Sequence, residues 1–201
     1  AAAGIASQAW SYPQTALALA FRHARPHGGV SIEFHRASGP LTTVPLPGNV
    51  SSLVWVETPA EAQRLLTLEP ADLARTLRTA LHNCLGRIED IAACAAYPLS
   101  GMRADRLAQR RTALVGEAAH VIPPIGAQGL NLGLRDVACL ADAVEDARDA
   151  GRADAGDAEV LDAYARARRS DVWSRTTAVT QSAITSWTSD RPSAARARTG
   201  P

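Results

Sequence analysis

The first part of the chain carries four short runs in which apolar and polar positions partly alternate: Thr15–Ala24 (TALALAFRHA), Val30–Arg36 (VSIEFHR), Leu41–Pro47 (LTTVPLP) and Val50–Glu57 (VSSLVWVE). A period of two is the mark of a strand with one buried face. The stretches between them, RPHGG, ASGP and PGN, are turn chemistry, so the pattern predicts an antiparallel meander. Pro45 has no N–H to give a ladder, which predicts an edge strand or a bulge for the third run.

The period then lengthens. Pro59 stands in the first turn of a predicted helix, PAEAQRLLTL, and acids follow it closely. Leu73, Leu77, Ala80, Leu81 and Cys84 share one face of a second helix, and Gly86 stands just past its end. IAACAAYPLS and MRADRLAQ read as further strands, the first leading back to the sheet, and Arg111–Val115 as a short buried one. From Leu130, the residues Leu134, Val137, Ala141 and Val144 mark the apolar face of a long helix, which Gly151 and Gly156 break. A last helix runs from Ala158 to the region of Ser182, carrying Leu161, Tyr164, Val172 and Val179. The character changes between Gly101 and Arg111. The division expected is therefore a sheet with two helices over 1–103, a strand-loop-helix part over 104–188, and an unfolded polar tail over 189–201.

Bulk properties narrow the function. A chain of 201 residues supports one good core, or two small lobes sharing one. A net charge of +1 gives no footprint for nucleic acid. There is no lysine: all 21 basic residues are arginine. Cys84, Cys94 and Cys139 lack metal-ligand spacing and are expected to be buried free thiols in a reducing compartment. No apolar run approaches the roughly 20 residues that span a bilayer, and the start lacks the plan of a signal peptide. The expectation is a cytoplasmic protein, and the opening AAAGIASQAW without methionine suggests an incomplete one.

Chemistry concentrates in LVGEAAHVIPPIGAQGLNLGLRDV, Leu114 to Val137. Pro123 and Pro124 stiffen a loop, while Gly126 and Gly129 keep side chains off the backbone. A helix beginning at Gly129 or Leu130 exposes its first N–H groups and about half a positive charge. That is a place for an electron-rich ligand. A Walker loop is excluded by the missing lysine, and G-x-G-x-x-G occurs nowhere in the chain. A planar heterocycle such as a flavin fits, its N1–C2=O edge toward the helix start, with Glu117 accepting hydrogen bonds from sugar-alcohol hydroxyls. A purely structural account stands beside it: Glu117 capping a helix, Gly129 and Gly133 allowing close helix packing, and Pro-Pro as a rigid connector.

RTALVGEAAHVIPPIGAQGLNLGLRDV resembles the second flavin-binding motif of the single-component aromatic-ring hydroxylases, the class A flavoprotein monooxygenases, which runs strand, Gly-Asp-Ala-Ala-His, Pro-rich loop, Gly-x-x-Gly-Leu-Asn, helix. WSYPQTALALAFRHARPHGGVSIEFHRASGPLTTVPLP with SSLVW resembles the sheet of the ubiquinone-biosynthesis hydroxylases, and YARARRSDVWSRTTAVT their following helix, over roughly residues 4 to 190. The resemblance implies an α+β or α/β chain. An antiparallel substrate-domain sheet would be joined to the C-terminal strand-loop-helix part of a Rossmann-like FAD-binding domain. It implies FAD as cofactor, NAD(P)H as reductant, dioxygen as co-substrate, and hydroxylation of the phenol ring of a polyprenylated substrate in ubiquinone biosynthesis. Gly116 and Glu117 would meet the ribityl–pyrophosphate region, and Pro124 would lie by the ring. Gly126, Gln128 and Gly129 would shape the loop, and the amides of Leu130 and Asn131 would face the N1–C2=O edge.

Two departures stand out. Glu117 replaces the usual aspartate, and the N-terminal G-x-G-x-x-G unit and Asp-Gly motif of that family have no counterpart here. The expectation is a C-terminal fragment, inactive by itself, of a protein that a greasy substrate would bring to the inner membrane or a biosynthetic complex. A hydroxylase of a small soluble aromatic acid, or a non-catalytic flavin-related interaction module, are the alternatives. Other residues read more plainly. His120 is expected to be structural, Trp55 core, and Arg166, Arg168 and Arg169 a solvated helix face. His23, His27 and His35 are expected at solvated strand or turn positions rather than on a metal. Tyr97-Pro98 either ends a strand or turns the chain. No catalytic side chain is assigned.

Overall fold

A computed structural model describes residues 3–124, 128–186 and 194–198. In chain order the elements are β1 (Ser7–His23), β2 (Val30–Phe34), β3 (Leu41–Leu46), β4 (Val50–Glu57), α1 (Pro59–Leu66), α2 (Pro70–Ala80), β5 (Ile88–Ile91) and β6 (Ala95–Ala104). The hairpin strands β7 (Ala108–Gln109) and β8 (Thr112–Ala113) follow, then a 3₁₀ turn at Gly116–Ala118 and β9 (His120–Val121). The chain continues with α3 (Gln128–Asp149), α4 (Ala158–Ser186) and β10 (Ala194–Arg198). Contacts divide it into two units, Tyr12–Leu99 with Ile184–Pro201, and Ala1–Ser11 with Ser100–Ala183.

In the first unit the predicted meander is present. β2, β3, β4 and β1 are consecutive antiparallel neighbours, and β5 adds to β1. Leu17 lies opposite Trp55 and Leu19 opposite Leu53, so period two places Leu17, Leu19, Phe21, Leu53 and Trp55 on one face. Leu65 of α1 and Leu73 and Leu77 of α2 complete that core, with Leu81 and Leu85 just beyond. Thr58 caps α1 by accepting the Glu61 N–H at 3.3 Å, and Pro59 and Pro70 open the two helices where their missing N–H costs nothing.

Several expectations change. The first strand begins at Ser7, not Thr15, because its early residues find a sheet neighbour that alternation does not announce. β3 is not an edge strand: Pro45 pairs with Ser51 of β4, while the ladder to β2 has ended at Thr43, so the absent N–H falls where β2 offers no partner. In the tail, Ala194–Arg198 pairs antiparallel with β2, whose outer backbone groups are open to a further strand. Tyr97 and Pro98 lie inside β6, and Tyr97 is exposed. The cysteines form no disulfide and are not buried thiols: Cys84, in the turn after α2, is exposed and the other two are half-buried.

His23 is the reverse case, fully buried rather than solvated, since it continues the Leu17–Leu19–Phe21 face. Its Nδ1 lies 2.8 Å from the Arg25 carbonyl and its Nε2 2.9 Å from Ser51 Oγ. A carbonyl only accepts, so Nδ1 carries the proton and the Ser51 hydroxyl donates to Nε2. His27 reaches the Leu46 carbonyl and His35 pairs with Glu33. Trp55 is core as expected, and its Nε1–H donates to the buried Glu57 at 2.9 Å, which also pairs with Arg36.

Candidate functional site

The second unit holds the Leu114–Val137 stretch. Arg110 and Arg111 both take positive φ, 49° and 64°, and form the two-residue turn of the β7–β8 hairpin. That turn replaces the buried strand expected over Arg111–Val115: only Thr112 and Ala113 are strand, and both are half-buried. The chain is then tied down at Leu114, whose carbonyl accepts the Tyr164 O–H of α4 at 2.6 Å. Burial pushes the Tyr164 hydroxyl well above its ordinary pKa, so it stays a donor.

At Gly116 the backbone turns into the left-handed region (φ 56°), which a glycine enters without steric cost. A Cβ built on Gly133 of α3 would sit 3.4 Å from the Gly116 Cα. Gly116 and Gly133 are therefore a contact pair that lets helix and turn approach, so the packing role considered for the helix glycines belongs to Gly133. Gly129 has more room, with nothing nearer to an added Cβ than Ile122 at 3.9 Å.

Beneath the turn lies a buried charged network. Asp136 of α3 is 0% exposed and its Oδ2 accepts the Gly116 N–H at 3.0 Å and His120 Nε2 at 2.7 Å. Its Oδ1 accepts from Arg168 Nε of α4 at 2.8 Å. A carboxylate has no proton to give, so His120 donates through Nε2. Arg168 also donates to Asp171 at 2.7 Å, Asp171 accepts from Arg175 Nε at 2.6 Å, and Arg175 reaches Gln128 Oε1 at 3.1 Å. Partial burial works against the charge on Asp171, but the hydrogen bonds from Arg168 and Arg175 outweigh it and bring its pKa down to about 2. Burial likewise opposes the charge on Arg168, and Asp136 and Asp171 reverse that, leaving its pKa raised.

The exposed side of the stretch is the loop and the opening of α3. Pro123 is buried and Pro124 exposed; Gly126 lies outside the described residues. α3 begins at Gln128, one residue before the expected start, and Gly129, Leu130 and Asn131 in its first turn are exposed, as is Glu117.

A family model described as FAD binding domain matches residues 4–179. The chain belongs to this FAD-binding-domain family. Among its relatives, the ubiquinone hydroxylase UbiL of Rhodospirillum rubrum is 38% identical over 169 residues, covering 84% of this chain and 39% of that protein. The 3-demethoxyubiquinol 3-hydroxylase of Escherichia coli is 36% identical over 151 residues, 75% of this chain and 38% of that protein. The chain thus spans about two-fifths of the length of these curated relatives. The fold is that of the p-nitrophenol 4-monooxygenase of Pseudomonas putida, with a TM-score of 0.68 at 21% identity over 94% of this chain and 47% of that one.

Within the FAD-binding-domain framework, one turn carries Gly116 and Glu117, and one helix start carries Gln128, Gly129, Leu130 and Asn131. Pro124 lies on the connection between them. His120 is a buried, hydrogen-bonded structural histidine. Arg168 overturns the solvated-face expectation: it is 6% exposed and inside the network, while Arg166 and Arg169 are exposed. Sequence reasoning passed over Asp136, Asp171 and Arg175 altogether. The signal for Arg168 was present, since Tyr164, Arg168, Val172 and Thr176 are four apart and all buried. Among the described residues no group of His, Cys, Asp and Glu is arranged to hold a metal, and no helix is long and apolar enough to cross a membrane.

Proposed function

We propose that this chain forms part of an FAD-dependent monooxygenase that hydroxylates the aromatic ring of a polyprenylated phenol in ubiquinone biosynthesis, with NAD(P)H and dioxygen. The observation that carries the reading is the juxtaposition, in one family-matched stretch, of a left-handed glycine turn ending in an exposed carboxylate and an exposed helix start free of bulky side chains at Gly129. The residues fit the flavin end of that cofactor. Leu130 and Asn131 would present helix-start amides to its electron-rich edge, and Glu117 would accept from the ribityl hydroxyls. Gly116, Gly126, Gln128 and Gly129 would shape the cradle, and Pro124 would stand at the substrate side. When bound, the flavin supplies the redox chemistry, passing electrons from the nicotinamide to dioxygen. The protein's part is to hold the ring edge against a positive helix end, where negative charge on reduction is stabilised. The names of the UbiL and E. coli relatives support the prenylated quinol as substrate class. A substrate that greasy supports peripheral contact with the membrane or a biosynthetic complex.

The test is an FAD titration followed by fluorescence quenching, on this chain and on its natural full-length form. NAD(P)H oxidation is then measured with prenylated and soluble phenols. Tight FAD binding and oxygen uptake stimulated by a prenylated phenol are expected of the full-length form. Absence of FAD binding in both forms would sink the reading, and stimulation by soluble aromatic acids alone would move the substrate class.

A further inference from the structure

We infer that Asp136 is the positioning residue for the Gly116 turn and for the start of α3 at Gln128, anchoring both to α4 through one line of charge. The inference rests on the flavin reading for what the loop holds, and on geometry for how it is held. At the near end, Gly116 N–H and His120 Nε2 converge on Asp136 Oδ2 at 3.0 and 2.7 Å. At the far end, Arg175 holds Gln128 Oε1 at 3.1 Å. Between them run Asp136–Arg168 at 2.8 Å, Arg168–Asp171 at 2.7 Å and Asp171–Arg175 at 2.6 Å. The Gly116 turn and the Gln128 helix start are thus each held by a side chain from further along the chain, Asp136 and Arg175.

Buried ion pairs are poor stabilisers compared with apolar packing of the same volume. A carboxylate that is 0% exposed, bonded to the buried His120 and Arg168, therefore calls for a reason beyond stability. The reason we assign is direction. Two oxygens receive three donors from three separate segments, so the position of Gly116, and of Glu117 next to it, is fixed against two helices at once. An apolar residue at 136 would fill the space and leave the Gly116 N–H without an acceptor. An amide offers one accepting oxygen, so it can serve the Gly116 and His120 side or the Arg168 side, but not both.

The experiment compares Asp136→Asn with Val172→Ala, a fully buried apolar change in the same unit that removes no hydrogen bond of the network. Two quantities are read: amide hydrogen exchange across 116–131 in this chain, and FAD affinity of the natural full-length form. Losing one hydrogen bond to a charged group corresponds to a factor of about ten to a hundred. A hydrogen bond from the Arg168 cation is the stronger kind and takes the single accepting oxygen. Asp136→Asn is therefore expected to speed exchange at Gly116 by that factor and to weaken FAD by a similar one, while Val172→Ala lowers stability and leaves both near wild type. Equal effects of the two variants would make Asp136 a core residue like any other and overturn the inference. Faster exchange with unchanged FAD affinity would overturn its cofactor half. Should Asp136→Asn not fold, Arg175→Ala takes its place. Faster exchange across 128–131 with Gly116 unaffected supports the clamp, and no change refutes it. If wild-type full-length protein takes up no FAD, the flavin reading and the cofactor half fall together, and the exchange comparison alone decides whether Asp136 holds the loop.

Discussion

Replacing Gly116 by alanine isolates what the left-handed turn costs any other residue. Gly116 sits at φ 56°, where an L-residue costs about 1–2 kcal/mol. Alanine recovers about 0.4–1 kcal/mol by restricting the unfolded chain. No steric term is added, because a Cβ at Gly116 would meet the Gly133 Cα at 3.9 Å, an ordinary contact. The balance is a loss of about 1 kcal/mol, which for a chain of this size lowers Tm by roughly 2–4 °C. Gly116→Asn should cost less than alanine, since asparagine enters the left-handed region more readily. Gly133→Ala should be close to neutral. There the gain of about 1 kcal/mol in helix propensity meets a 3.4 Å approach to the Gly116 Cα, tight enough to take most of it back. Urea unfolding followed by tryptophan fluorescence reports all three. A loss above about 3 kcal/mol for Gly116→Ala, or asparagine no better than alanine, would show that the cost lies in packing rather than in the dihedral.

Two further outcomes are expected. Burial lowers the pKa of His23 below its ordinary 6.5, although hydrogen bonding to the Arg25 carbonyl opposes this, so the unfolded chain binds the proton more readily. Its contribution to stability is complete above about pH 6.5 and is lost as pH falls from there through the lowered folded value. Wild type should lose Tm more steeply than His23→Gln below that pH, and parallel curves would refute the assignment. On α3, Leu132→Ala should cost about 2–5 kcal/mol and Leu134→Ala within about 0.5 kcal/mol, since Leu132 is 1% exposed and Leu134 59%. Chemical denaturation of the pair checks this, and similar losses would mean that the burial assigned to the helix is wrong.

That pair also shows where the sequence could be read and where it could not. α3 has two apolar stripes. Leu130, Leu134, Val137 and Ala141 form the cleaner one, and pattern alone chose it; in the structure Leu130, Leu134 and Val137 are exposed. The buried stripe runs through Leu132, Asp136 and Ala147, with an acid in its middle. A period of 3.6 residues cannot rank two such faces when what makes the acid tolerable, Arg168, lies 32 residues further on. The meander was legible because Leu17, Leu19, Phe21, Leu53 and Trp55 keep strict period two. The Arg110–Arg111 turn was hidden because two arginines give none of the usual turn chemistry. The loop itself was legible from its glycines and prolines and from the family resemblance, but the clamp beneath it was not, since its members are scattered from Gly116 to Arg175.

The unequal burial of the three cysteines turns into a chemical addressing scheme. A thiol reacts as its thiolate, and burial holds the pKa of both Cys94 and Cys139 above the ordinary value while leaving each only half accessible. Cys84 stands exposed in the turn that follows α2. A maleimide used sparingly near neutral pH therefore attaches first at Cys84. The label falls in the unit that does not carry the glycine loop. A fluorophore there marks that unit and leaves the residues proposed to hold the cofactor chemically unmodified.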